Sequence, residues 1–115
     1  SKEGAQQCYI LLYHSDSARL EMWENRIRAL DSYQVSLSVY TSLDAIKAVI
    51  RSKNQPSNYG IVTVWVKEDK IKGPISEEQP EQIGVYDGAI AVSEIIAFEH
   101  NNHVYSWRGS RLVAR

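Results

Sequence analysis

The sequence predicts a soluble domain of the α/β or α+β class. Three observations carry that reading. An apolar run, Tyr9 to His14, leads directly into an amphipathic helix ending near Leu30. The chain then continues strand–helix–strand as far as Val66. Its last third changes character and ends in two aromatic-rich segments around Asn101-Asn102, the signature of a β-hairpin.

The elements follow in order. Ser1 to Gln7 (SKEGAQQ) is polar with no apolar stripe and reads as the tail of a linker, leaving residues 8–115 as the domain. In Tyr9–His14, Ile10 and Leu12 face one side and Tyr9, Leu11 and Tyr13 the other, the mark of a strand covered on both faces. Leu20, Trp23, Ile27 and Leu30 recur at helical spacing, so a helix is expected from about Ser17 to Leu30. Asp16 or Ser17 would cap it, and its acidic start (Glu21, Glu24) and basic end (Arg26, Arg28) suit the helix dipole. Val35, Leu37 and Val39 alternate with polar residues as a half-buried strand does. A second helix is expected from Thr41, with Asp44 completing a capping box and Leu43, Ile46, Val49 and Ile50 as its buried stripe. Asn54 and Pro56 stop it. Ile61–Val66 (IVTVWV) is β-branched on both faces and reads as a central strand. Lys67–Gln82 reads as a turn and a long exposed loop, Asp87-Gly88 as a turn, and Ala89–Val92 as an ambiguous short element. In the hairpin, Phe98 should lie opposite Tyr105 and Ile96 opposite Trp107, with Leu112 and Val113 continuing the sheet.

Composition narrows the class. A chain of 115 residues is one domain, long enough to bury about two-thirds of its extended surface. Hydrophobic residues make up 43% of it and the net charge is −1, which argues against a nucleic-acid partner. Cys8 is the single cysteine, so no internal disulfide forms and a reducing compartment is expected. No run approaches the ~20 apolar residues of a membrane span. The single methionine is Met22, so Ser1 is not a natural start and a fragment of a longer protein is expected.

The candidate chemistry is sparse. His100 and His103 would face each other across the hairpin turn and His14 ends the first strand, but no metal-ligand spacing links them. His14, Ser15 and Asp16 supply triad residue types at adjacent positions, where side chains cannot converge. Neither a GxGxxG nor a P-loop is present. Trp23 and Trp65 read as core residues. Two places combine groups suited to an anionic, aromatic ligand. The turn after the first strand offers Ser15, the N–H groups of the helix start, and Arg19. The tail offers Tyr105, Trp107, Arg108 and Arg111, with Arg115 beyond, which could clamp a phosphate while a ring stacks. An edge strand kept soluble by its arginines is the slightly favoured explanation of the tail.

Four blocks in this order, YILLYHSDSARLEMWENRIRAL, VYTSLDAIKAVIRSK, NYGIVTVWV and SEIIAFEHNNHVYSWRGSRLV, resemble the C-terminal domain of the IcmQ family. These are cytoplasmic components of the Dot/Icm (type IVB) secretion system of intracellular bacterial pathogens. The resemblance spans roughly Cys8 to Val113. It implies an α+β fold similar to mono-ADP-ribosyltransferases, with two small sheets flanking a cleft, helices packed outside, and NAD bound in the cleft. It also implies that a separate N-terminal part binds a small chaperone-like partner and that the full protein is peripheral at the membrane. Tyr13 and His14 join Ser15, Arg19, Tyr105, Trp107, Arg108 and Arg111 as candidate NAD contacts because transferases use this strand end. The chain departs from the transferase pattern. It has no arginine on the first strand and no Glu-x-Glu. Ser36-Leu37-Ser38 fits Ser-x-Ser, while Gln79-Pro80-Glu81 fits Gln-x-Glu only inside a proline-rich loop. The expectation is therefore a domain that binds NAD without turning it over. The alternatives are an active ADP-ribosyltransferase or NAD glycohydrolase, and a protein or membrane docking module without ligand.

Overall fold

A computed structural model describes residues 3–15, 19–32, 37–73, 82–86 and 88–115. Seven strands among them, β1 (Ala5–Tyr13), β2 (Leu37–Tyr40), β3 (Tyr59–Lys67), β4 (Gln82–Tyr86), β5 (Ile95–His100), β6 (His103–Arg108) and β7 (Arg111–Ala114), form one sheet. The order is β4-β2-β1-β3-β5-β6-β7, with every pairing antiparallel. The domain is thus α+β. The two separate sheets expected are instead one, because β1 pairs with both β2 and β3, and β3 carries the ladder on to β5.

Two short helices, α1 (Leu20–Arg28) and α2 (Leu43–Arg51), cover opposite faces. Alternation along β1 decides this. Cys8 and Ile10 join Val62, Val64, Val66 and Phe98 in a core closed by Trp23, Ile27 and Leu30. Tyr9 and Leu11 pack with Tyr40, Ile61 and the Ile46 of α2 on the other side. The expected both-face burial of the first and third strands is what the structure has. Trp23 is fully buried, whereas Trp65 is half-buried and Leu20, at the open end of the α1 stripe, is 37% exposed.

Several boundaries move. Ala5, Gln6 and Gln7, expected in a linker, pair with Lys67, Val66 and Trp65, so β1 begins before the apolar run does. Helix α1 has Arg19 at its N-cap with no side-chain cap bond; Asp16 and Ser17 lie outside the described residues. Helix α2 is capped by Ser42, whose Oγ accepts from the Ala45 N–H at 3.2 Å. Asp44 is therefore one position short of completing a capping box. Strand β4 lies at the end of what reads as a loop, pairing with β2 at the sheet edge. Beyond it, Ile90 is fully buried and donates to Leu30 O at 3.2 Å, and a 3-10 turn covers Val92–Glu94.

The late hairpin forms in the expected register, with Phe98 opposite Tyr105 and His100 opposite His103. Asn101 and Asn102 both have positive φ (51° and 66°), the type I′ geometry that matches strand twist. The ladder stops at Ala97–Ser106, so Ile96 and Trp107 are not paired, and a bulge between β3 and β5 displaces Ile96. A second such turn, Gly109-Ser110, leads into β7, which continues the sheet as expected. Helix α1 closes this edge: Glu24 accepts the Leu112 N–H at 2.8 Å and Arg28 donates to Ser110 O, which removes pairing groups from an exposed strand.

Phe98 occupies the space a side chain on Gly60 would need. A Cβ built at Gly60 would lie 2.5 Å from Phe98 Cζ, with the ring fully buried. Gly60→Ala should therefore destabilise the domain by about 1–3 kcal/mol, the range for overpacking, read as a lower urea midpoint at unchanged m. A double-mutant cycle with Phe98→Leu should recover part of that loss.

Candidate functional site

Four tips meet at one end of the sheet: the end of β1, the start of β3, the β5–β6 turn, and the C-terminal end of α2. The antiparallel register brings them together, placing Tyr13 opposite Tyr59 and Ile61 opposite Glu99. Between them lies a cleft of about 330 Å³. Lys47, Ile50 and Arg51 of α2 form one wall, Pro56 and Tyr59 the floor, and Glu99 to Asn102 the other wall.

The charges in the cleft are unequal. Lys47 Nζ and Glu99 Oε2 are 3.2 Å apart, both partly shielded, while Arg51 is exposed. Lys53 Nζ sits 5.4 Å from the Tyr59 ring centroid, a cation–π distance. Tyr59 also meets Tyr13 edge to face at 5.2 Å, and Tyr13 is 51% exposed beside the cleft. Lys47, Arg51, Tyr59 and Glu99 therefore share one concave surface, with Tyr13 and Lys53 in contact with the Tyr59 ring.

His100 joins this cleft to the core. It lines the cleft, bonds through Nε2 to Ser57 O at 2.6 Å, and packs 4.9 Å from Trp23, ring to ring. His14 meets the same Trp23 at 5.8 Å, its backbone N–H donating to Asn58 O at 2.9 Å. Trp23 is thus in ring contact with two histidines, His14 just past β1 and His100 on β5. Its buried Nε1 has no acceptor among the described residues.

The sequence-derived candidates divide. Tyr13 touches the cleft residue Tyr59 without lining the cleft itself, and His14 and Ser15 follow it just past β1. Arg19 stands at the N-cap of α1, largely exposed and paired with Glu21 at 3.0 Å. Tyr105 packs against Phe98 on the α1 face, 6.4 Å between rings, and Trp107 is buried in the same core. Arg108 lies five residues along β6 from His103, roughly 17 Å at strand rise, and Arg111 is its partner across the Gly109-Ser110 turn. The structure does not bring Trp107, Arg108 or Arg111 to the cleft.

Sequence reasoning missed Lys47, Arg51, Tyr59 and Glu99. The i, i+4 spacing of Lys47 and Arg51 was a usable signal, since it places both cations on one face of a helix. Glu99 had none, because its position depends on the pairing of β5 with β3. His100 and His103 do face each other across their turn, yet among the described residues no group of three or more His, Cys, Asp or Glu side chains is placed to hold a metal. Ser38 is exposed on β2; Ser36 and the Gln79-Pro80-Glu81 stretch lie outside the described residues.

Buried acids make the fold less stable at alkaline pH. Burial pushes the Cys8 thiol from 9.0 to about 11, so it is protonated and unreactive at neutral pH. Burial also raises Tyr40, and raises Tyr86 with help from the charges of Glu94 and Asp69. Each is an acid whose neutral form the fold favours. The unfolded thiol loses its proton above pH 9.0 while the folded one keeps it to about 11, so stability falls across that window, by roughly 2–3 kcal/mol for Cys8. Urea melts between pH 8 and 11 should show this decline, and Cys8→Ala should make it shallower.

No curated protein matches the chain. The family model described as Dot/Icm secretion system protein (dot_icm_IcmQ) matches residues 1–115. That match takes in the whole chain, cleft and sheet alike, and the chain belongs to this family of Dot/Icm secretion system proteins.

Proposed function

We propose that this is an NAD-binding domain of a Dot/Icm secretion protein, one that holds the dinucleotide without turning it over. The observation that supports it is the cleft between α2 and the β5–β6 turn, where Lys47 and Arg51 face Tyr59 and Glu99 within about 330 Å³. That volume falls in the range of small-molecule sites. The donor set fits the ligand. A pyrophosphate needs cations or N–H donors, which Lys47 and Arg51 supply; a ring system needs a flat surface, which Tyr59 supplies; ribose hydroxyls need an acceptor, which Glu99 supplies. NAD itself brings an activated glycosidic bond. The chain's residues bind, orient and screen it.

Glu99 also favours the second reading, an NAD glycohydrolase or ADP-ribosyltransferase. Among the described residues it is the one carboxylate on the cleft wall, and a carboxylate beside a glycosidic bond can stabilise positive charge as the bond breaks. Incubation with nicotinamide-labelled NAD separates the two: no release accompanies binding alone. A third class, a docking module without ligand, predicts no heat on NAD titration.

Within the whole protein, the reading assigns the small chaperone-like partner and peripheral membrane attachment, in the bacterial cytoplasm, to regions outside this domain. Among the described residues no helix is long and apolar enough to cross a membrane. The polar faces of α1 and α2 mix acidic with basic residues (Glu21 and Arg26; Asp44 and Lys47), unlike the basic faces of interfacial helices.

Two measurements follow. Calorimetry with NAD should show Arg51→Ala weakened by about 1.5–3 kcal/mol, the value of a charged hydrogen bond, and Arg108→Ala unchanged. Equal affinity of the Arg51 variant and the parent would place the ligand elsewhere. Arg19→Ala tests whether the first-strand turn reaches the same ligand. In flotation with anionic liposomes, the domain alone should stay in the lower fractions; strong co-flotation would bring the membrane role back to this domain.

A further inference from the structure

We propose that Lys47 suppresses reaction in the cleft, and that its ion pair with Glu99 is what keeps the site a binding site. This rests on the NAD reading and adds a role for one residue. Glu99 is positioned as a reactive carboxylate would be: it is on the cleft wall, 21% exposed, and fixed on β5 by pairing with Ile61 of β3. Its oxygen is held 3.2 Å from Lys47 Nζ, and Arg51 stands one helical turn beyond on the same wall.

Two cations against one carboxylate make this surface attractive to a pyrophosphate. The same arrangement opposes any step that creates positive charge beside it. Hydrolysis of NAD is such a step. The bond between the ribose carbon and the pyridinium nitrogen breaks with both electrons going to nitrogen, which departs as neutral nicotinamide. Water forms the new bond to carbon and releases one proton. Positive charge moves onto the ribose carbon as this happens, and a carboxylate stabilises it only if its field is not cancelled by a neighbouring ammonium. Lys47 cancels it. One charge pattern thus accounts for both retention of the ligand and silence towards it.

The test uses Lys47→Gln, Glu99→Gln and the double variant, each read by NAD calorimetry and by release of labelled nicotinamide at saturating NAD. Lys47 is half-buried on a helix, so glutamine there preserves the fold. Lys47→Gln should bind NAD several-fold more weakly yet release nicotinamide at least about tenfold faster than the parent, a factor set by about 1.4 kcal/mol of barrier. Glu99→Gln should bind several-fold more tightly and release none. The double variant should return to the parent's release rate. A Lys47→Gln protein no faster than the parent, or one that no longer binds, overturns the proposal while the NAD reading stands; a double variant as fast as Lys47→Gln overturns it too. A parent that does not bind NAD overturns both.

Discussion

Strands β1 and β3 carry apolar side chains on both faces, and the rest of the molecule is arranged to keep water from both. Cys8, Ile10, Val62, Val64 and Val66 point one way; Tyr9, Leu11 and Ile61 point the other. Neither set can be left in water without losing most of the driving force for folding, since each such side chain is worth ~1.5–3 kcal/mol when buried. One helix per face is the economical answer, and the strand–helix–strand–helix–strand order delivers it. Trp23, Ile27 and Leu30 of α1 and the following turn close the first face; Ile46 of α2 closes the second.

The cleft is a by-product of the same requirement. A nine-residue strand such as β3 extends ~30 Å, while nine-residue α2 extends only ~13 Å. The second face is therefore covered in part. Where α2 ends, the start of β3 and the β5–β6 turn leave a concave surface that carries Lys47, Arg51, Glu99 and Tyr59 beside the apolar Ile50 and Ile61. Trp23, in ring contact with His14, Phe98 and His100, ties the rim of this surface to the core beneath.

Periodicity and turn chemistry made much of this legible. The stripe of α1, the both-face character of β1 and β3, and the hairpin register around Asn101-Asn102 are all written in spacing of i, i+2 or i, i+3/i+4, which is local information. What failed was non-local. Ala5–Gln7 is polar and becomes strand because Lys67, Val66 and Trp65 lie ready to pair with it. Strand β4 follows a charged, proline-containing stretch and is defined by β2 beside it. The single sheet, in place of two, depends on which strand edges meet, and no residue pattern states that. The candidate site divided for the same reason. Tyr13 and its neighbours were reached through the strand end they occupy, whereas Trp107 and Arg108 were chosen for chemistry in sequence order and lie towards the far end of β6 from the cleft. Glu99 could be found only after β5 was paired.

Family membership places the chain in a secretion system, and the cleft gives the domain a chemistry of its own. The proposed NAD site rests on the α2–hairpin cleft, which brings the cations Lys47 and Arg51 onto one surface with the Tyr59 ring and the Glu99 carboxylate. The most direct measurement is the change in backbone amide NMR shifts as NAD is added. The account predicts saturable shifts centred on Arg51, Tyr59 and residues His100 to Asn102, with little change at the Gly109-Ser110 turn. Shifts concentrated at that turn, or none anywhere up to millimolar NAD, would contradict it.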